Sequence, residues 1–128
     1  MIVDASAVTS IFLRKSGCER LIDALAAAPV AGIGAPTPAE ADPPPGPEGG
    51  RDRSGMLARF VQEFELQVVP FSDAHFRAAL DAHQRFGEGH HKAALDFGDC
   101  LSYATARLAR QPLLCDDRRF GLTDLELG

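Results

Sequence analysis

Short apolar runs alternate with helix-spaced stretches along this chain, and that alternation restricts the possible folds more than any other feature. Ile2-Val3, Val30 to Ala35, Gln67 to Phe71 and Pro112 to Cys115 read as strands. Val8, Ile11 and Phe12 keep helical spacing after the first run. Cys18 to Ala28 predicts a second helix, with Leu21, Ile22 and Leu25 on one face and Pro29 stopping it. Leu57, Phe60, Val61 and Phe64 mark a third, amphipathic helix. Ser72 caps a fourth that carries Phe76, Ala79, Leu80 and His83 and stops at Gly87. Gly98-Asp99 opens a fifth, running through Arg110. The stripes at 57–64 and 76–83 read as core or as dimer surface. The whole order predicts an α/β fold, a short parallel central sheet flanked by helices.

A chain of 128 residues suits one compact domain with its own core. Cys18, Cys100 and Cys115 have no metal-ligand spacing and read as small core residues in a reducing compartment. The start has no basic segment, and no apolar run approaches the roughly 18 residues of a membrane helix. A cytoplasmic protein with no membrane contact is therefore expected. The formal net charge of −5 weighs against a nonspecific nucleic-acid binder. That weight falls if some of the acids hold a cation, because a bound cation reverses the local field.

Six of the nine prolines lie between Pro36 and Pro47. Each lacks a backbone donor and restricts its predecessor, so helix is forbidden there. The Pro/Gly-rich stretch at about 42–55 predicts an irregular segment, with order resuming near Gly55. Its composition is foreign to the rest of the chain, as a local, self-corrected reading-frame shift would leave it. Translating the DNA in the two alternative frames tests that idea: an amphipathic helix in one supports it, and none in either ends it. Arg51, Arg53 and Arg59 read as a solvated face.

Acids punctuate this architecture at telling places. Asp4 follows the first strand, Glu40 follows the second, Asp116 and Asp117 follow the last, and Asp99 stands at a helix start. In an open parallel sheet these positions fall on one edge, where sites form beyond the carboxyl ends of the strands. Clustered carboxylates need shared protons or a cation. A hard divalent ion, Mg²⁺ or Mn²⁺, would take one or two of them and keep several waters. It would serve phosphodiester hydrolysis by lowering the pKa of water and neutralising phosphate charge. Ser6 lies two residues past Asp4 and could hold a water or orient a carboxylate. Asp96, one helical turn before Asp99, extends the acidic wall. Taken singly, Asp4 and Asp99 also fit plain helix caps, and Asp116 and Asp117 plain turn residues.

Five stretches carry a resemblance: Met1-Ile-Val-Asp-Ala-Ser-Ala7, Ala35-Pro-Thr-Pro-Ala-Glu40, Phe86-Gly-Glu-Gly-His-His91, Asp96-Phe-Gly-Asp-Cys-Leu-Ser-Tyr103 and Pro112-Leu-Leu-Cys115. Together they resemble the PIN-domain ribonucleases, and among these the VapC toxins of bacterial toxin–antitoxin pairs. The resemblance covers nearly all of the chain outside about 42–55 and implies a PIN-like domain over 1–128. It implies a metal-dependent endoribonuclease, typically dimeric, inhibited by a cognate VapB-like antitoxin whose C-terminal segment enters the active-site groove. By register it implies Asp4 and Asp99 as principal metal ligands and Glu40 as the third acid. The fourth falls near Asp116 to Arg119, and Asp117 is chosen for it over Asp116. Relatives commonly carry acids just before the position of Phe120, where this chain has Arg118-Arg119. They also continue from the Glu40 position into a regular helix. The loop with His90, His91 and Lys92 retains positive character and is a candidate contact for an RNA backbone.

A second reading keeps the PIN-like fold but lets it bind antitoxin or RNA without turnover. A phosphorylatable receiver-like domain also clusters acids, but it needs a lysine after the final strand, where Asp116-Asp117-Arg118 stands here.

Overall fold

A computed structural model of the chain describes residues 1–41 and 53–128. Four strands, β1 (Ile2–Val3), β2 (Gly32–Gly34), β3 (Gln67–Val69) and β4 (Leu113–Leu114), form one sheet in the order β3-β2-β1-β4. All three pairings are parallel, with Val3 opposite Ile33 on one side and Leu114 on the other. Five helices flank it: α1 (Ala5–Phe12), α2 (Cys18–Ala27), α3 (Arg53–Glu63), α4 (Asp73–Phe86) and α5 (Phe97–Ala109). The expected architecture is therefore the one observed.

Because successive strand residues point to opposite faces, each two-residue strand feeds two cores. Ile2 and Leu113 pack with Ala82, Phe86, Tyr103 and Phe120 on the α4–α5 side. Val3 and Leu114 pack with Val8, Leu21, Leu25 and Phe60 on the side of α1, α2 and α3. Cys18, Cys100 and Cys115 are free and buried. Burial pushes the Cys100 and Cys115 thiols up to about 11, which suits inert core residues.

Several boundaries differ from expectation for local reasons. β2 is three residues rather than six, and its glycines bring it close to neighbouring elements. A Cβ on Gly34 would lie 2.8 Å from the Thr105 hydroxyl and 3.1 Å from that of Thr37. Pro36 and Pro38, with their fixed φ, start a 3-10 turn, Thr37–Ala39, that leads into Glu40. A second 3-10 turn, Arg118–Leu122, follows β4. Helix α3 begins at Arg53, two residues before the expected return of order. The rest of the expected irregular segment, including Arg51 and the proline run from Pro43, lies outside the described residues. Arg53 is half-buried and donates to the carbonyls of Ala39, at 3.1 Å, and Ala41.

The two apolar stripes part company. Phe60 is buried, and Leu57, Val61 and Phe64 pack on its cluster. On α4 the core side is Ala79, Ala82 and Phe86, whereas Phe76 and Leu80 are 53% and 52% exposed. Among the described residues no helix is long and apolar enough to cross a membrane.

Candidate active site

The chain runs from β1 out to β2 and β3 and then returns to β4 on the far side of β1. The strand order reverses between β1 and β4, and the crevice beyond that switch point is where open parallel sheets place their sites. Asp4, Glu40, Asp96, Asp99, Asp116 and Asp117 all line one cleft there, of about 480 Å³. Ser6, Ser10, Lys15, Arg118 and Arg119 also line it.

Each acid is held by the element that delivers it. Asp4 is only 3% exposed and caps α1. Its Oδ2 accepts the Ser6 N–H at 2.9 Å and the Ser6 hydroxyl at 2.5 Å. The Ser6 oxygen in turn accepts the Asp116 N–H at 3.0 Å, joining the ends of β1 and β4. The Asp116 carboxylate accepts the Ser10 hydroxyl.

Helix α5 opens one step earlier than the sequence predicts. Asp96 is the N-cap and Phe97 the first helical residue. Asp96 and Asp99 form a reciprocal box, each carboxylate accepting the other's backbone N–H at 2.9 Å. The capping and clustering readings of Asp4 and Asp99 thus coexist: the carboxylates that end helices also face the cleft. Glu40 reaches α5 from the first 3-10 turn, its carboxylate against Gly98, where a Cβ would overlap it.

These acids oppose one another's ionisation. Burial, then the charges of Asp4, Asp96 and Asp99, push the Glu40 carboxyl up to about 7. Burial also raises Asp99, to about 6. The Asp96 N–H and the Arg119 charge pull it down, and the charges of Asp96 and Asp4 push it up.

Arg119 is the residue whose part the sequence did not reveal. Its Nη2 lies 2.8 Å from Asp99 Oδ2 and 2.5 Å from Asp117 Oδ2, and its Nε lies 2.9 Å from Asp117 Oδ2. Nη1 donates to the Ala94 carbonyl at 2.9 Å. Burial works to raise Asp117, but the Arg119 hydrogen bonds and charge hold its carboxyl below the ordinary range. The expected unpaired cluster is therefore partly neutralised from within. Its only visible signal was two arginines directly after two aspartates.

His90, His91 and Lys92 do not line the cleft. The His90 Nε2 lies 2.6 Å from the His83 carbonyl. The His91 Nδ1 accepts the Ala93 N–H at 3.0 Å, and its ring stands edge-on to Phe86. Their loop is tied to the cleft by the bond from Arg119 to the Ala94 carbonyl.

The donor set is oxygen throughout, carboxylates and hydroxyls, with the nearest thiols protonated and buried. Among the described residues no group of three or more His, Cys, Asp or Glu side chains is placed so that it could hold a metal ion by itself. Oxygen donors suit a hard divalent ion that keeps several waters better than a thiophilic one. The residues present fit that group.

A fold and cleft of this kind define a class, and comparison with known proteins agrees. The PIN domain family model matches residues 1–125. Ribonuclease VapC36 of Mycobacterium tuberculosis is 40% identical over 127 residues, covering 98% of this chain and 91% of the relative. Ribonuclease VapC28 of the same organism is 36% identical over 127 residues, covering 98% and 96%. Ribonuclease VapC of Mycolicibacterium smegmatis is 33% identical over 129 residues, covering 98% and 97%. A toxin–antitoxin complex from Klebsiella pneumoniae contains a chain of the same fold, with TM-score 0.62 at 16% identity, covering 91% of this chain and 88% of that one. The chain belongs to the PIN-domain family, among the VapC ribonucleases.

Proposed function

We propose that this chain is a toxin endoribonuclease of one PIN-like domain, hydrolysing RNA phosphodiester bonds with a divalent ion. The observation that supports this best is the meeting of carboxylates from four chain segments in one cleft at the β1–β4 switch point.

Asp4 and Asp99 would hold the ion, Mg²⁺ or Mn²⁺ in its place. The ion supplies Lewis-acid polarisation and a water of lowered pKa. Ser6 keeps Asp4 aimed by donating to its Oδ2, and the Asp96 N–H does the same for Asp99. Glu40 lies in the same cleft, and burial raises its carboxyl above the ordinary range, the direction that suits a group exchanging protons near neutral pH. We assign it the proton of the attacking water. Asp117 is the fourth acid, acting through Arg119; Asp116 is tied back to Ser10. Lys15 and Arg118 line the cleft and would meet the flanking phosphates. His90, His91 and Lys92 would touch the RNA farther from the scissile bond.

The partners that fit are a cognate VapB-like antitoxin covering the cleft, the RNA, and a second copy of the chain. Exposed Phe76 and Leu80 on α4 suit the last: charged residues there (Phe76→Glu with Leu80→Glu) should yield a monomer by light scattering. A cytoplasmic setting accords with the free thiols.

The activity has a direct test. Purified protein with Mg²⁺ should cleave RNA, stop with EDTA, and lose activity on Asp99→Asn. Cleavage that survives both the chelator and the substitution would sink the proposal.

A further inference from the structure

Arg119 carries an inference beyond that reading, though one that rests on it. Its guanidinium is spent on three partners at once: a fork onto Asp117, a single contact to Asp99, and a bond to the Ala94 carbonyl. The hold on Asp117 is the stronger one, since Nε and Nη2 both serve it and the two residues share a turn, the Arg119 N–H donating to the Asp117 carboxylate at 2.9 Å. The hold on Asp99 is a second use of Nη2, on an oxygen that already accepts the Asp96 N–H. The Arg119 side chain is 38% exposed, against 12% for Asp99 and 22% for Asp117. Solvent and ions therefore reach the pair from the arginine's side.

A divalent ion on Asp99 would carry twice the charge of the guanidinium and sit closer to the oxygen. The two cations repel each other and want the same carboxylate. A guanidinium keeps its charge at any ordinary pH, so it cannot yield by losing a proton; it can yield only by moving. The fork onto Asp117 lets it do so without leaving the site.

We infer that Arg119 is an internal counter-cation that holds Asp99 and Asp117 at their spacing and must release Asp99 for the divalent ion to bind. It is a positioning residue that acts through the two carboxylates. The chain can then assemble its acid cleft before any ion arrives, at the cost of a weaker affinity for the ion.

The test is Mn²⁺ binding to the full chain, read from the free-ion EPR signal, with thermal melts in EDTA and in Mn²⁺. Arg119→Gln should bind Mn²⁺ on the order of tenfold tighter than wild type, the weight of one charge-assisted hydrogen bond. It should melt lower in EDTA and gain more from Mn²⁺. Arg119→Lys, which keeps the charge but cannot fork, should fall between the two. If Arg119→Gln is unfolded in EDTA, recovery of its circular dichroism on adding Mn²⁺ supports the inference. Failure to recover, with Arg119→Lys binding Mn²⁺ as wild type does, overturns it. Equal or weaker Mn²⁺ binding by a folded Arg119→Gln overturns this inference alone. No Mn²⁺ binding by any of the proteins overturns the metal reading with it.

Discussion

Glu40 lies so close over Gly98 that a methyl group on the glycine would occupy the space of both carboxylate oxygens. The two residues come from different sides of the cleft, one ending the first 3-10 turn and the other in the first turn of α5. Alanine favours a helix over glycine by about 1 kcal/mol, and the end of a Glu side chain moves easily. Gly98→Ala should therefore leave the melting temperature unchanged or higher while displacing the carboxylate. Cleavage should fall by about an order of magnitude or more, on the scale for a misplaced reacting group. A Gly98→Ala protein cutting RNA at the wild-type rate would remove Glu40 from the proposed proton transfer.

Asp4 allows structure and chemistry to be separated. Asn caps a helix about as well as Asp, whereas Ala loses roughly 1 kcal/mol. Asp4→Asn should therefore melt near wild type, and Asp4→Ala should melt lower. Both should lose activity by about a hundredfold or more, the scale for removing one preorganised group that stabilises developing charge. Retained cleavage in the well-folded Asp4→Asn would show the carboxylate to be a cap only.

Gly34 and Thr105 should be energetically coupled. Thr105 is 1% exposed, and a Cβ on Gly34 would sit 2.8 Å from its hydroxyl. Gly34→Ala should cost about 1–3 kcal/mol through overpacking, measured by urea unfolding. Adding Thr105→Ala, which removes the crowding hydroxyl, should bring no further loss and recover part of it. Strict additivity of the two substitutions would mean that β2 and α5 do not touch through this pair.

Asp124 sets a pH dependence far from the cleft. Burial tends to raise its carboxyl, but hydrogen bonds from Tyr103 (2.7 Å) and Arg85 (2.9 Å), with the charges of Arg85 and Arg107, hold it below the ordinary range. A carboxylate with a depressed folded-state pKa stabilises above the unfolded value, about 3.9, and loses that effect as pH falls through the folded one. The Asp124 side chain is 36% exposed, so screening keeps the effect small. Asp124→Asn should lower the melting temperature by a few degrees at pH 7, with the gap closing in acid below about pH 4. A gap that stays constant down to pH 2 would assign the effect to packing.

What was legible in the sequence, and what was not, follows from the range of each interaction. The strands and helices announce themselves by period, and Asp4, Asp99 and Asp117 stand where strand ends and helix starts put them. The two 3-10 turns have no period to find. The glycine at 98 places the expected start of α5 at Gly98-Asp99, whereas the reciprocal bonds of Asp96 and Asp99 move it back to Phe97. Phe76 and Leu80 keep the same spacing as core residues, so the sequence leaves core and dimer surface open on α4; only the neighbouring α5 decides that Ala79 and Ala82 face inward. The pairing of Arg119 with Asp99 crosses from the end of β4 to the start of α5, a contact that no local pattern encodes.

The pairing of β1 with β4 has a consequence for how the protein is made. Asp4 and Asp117 line one cleft, yet β1 and β4, which deliver them, are far apart in the chain, so this pairing can close only after the segments between have been translated. Long-range parallel pairing of this kind forms late and slowly. A cleft that needs β1 and β4 side by side stays incomplete until the chain between them has been made and folded.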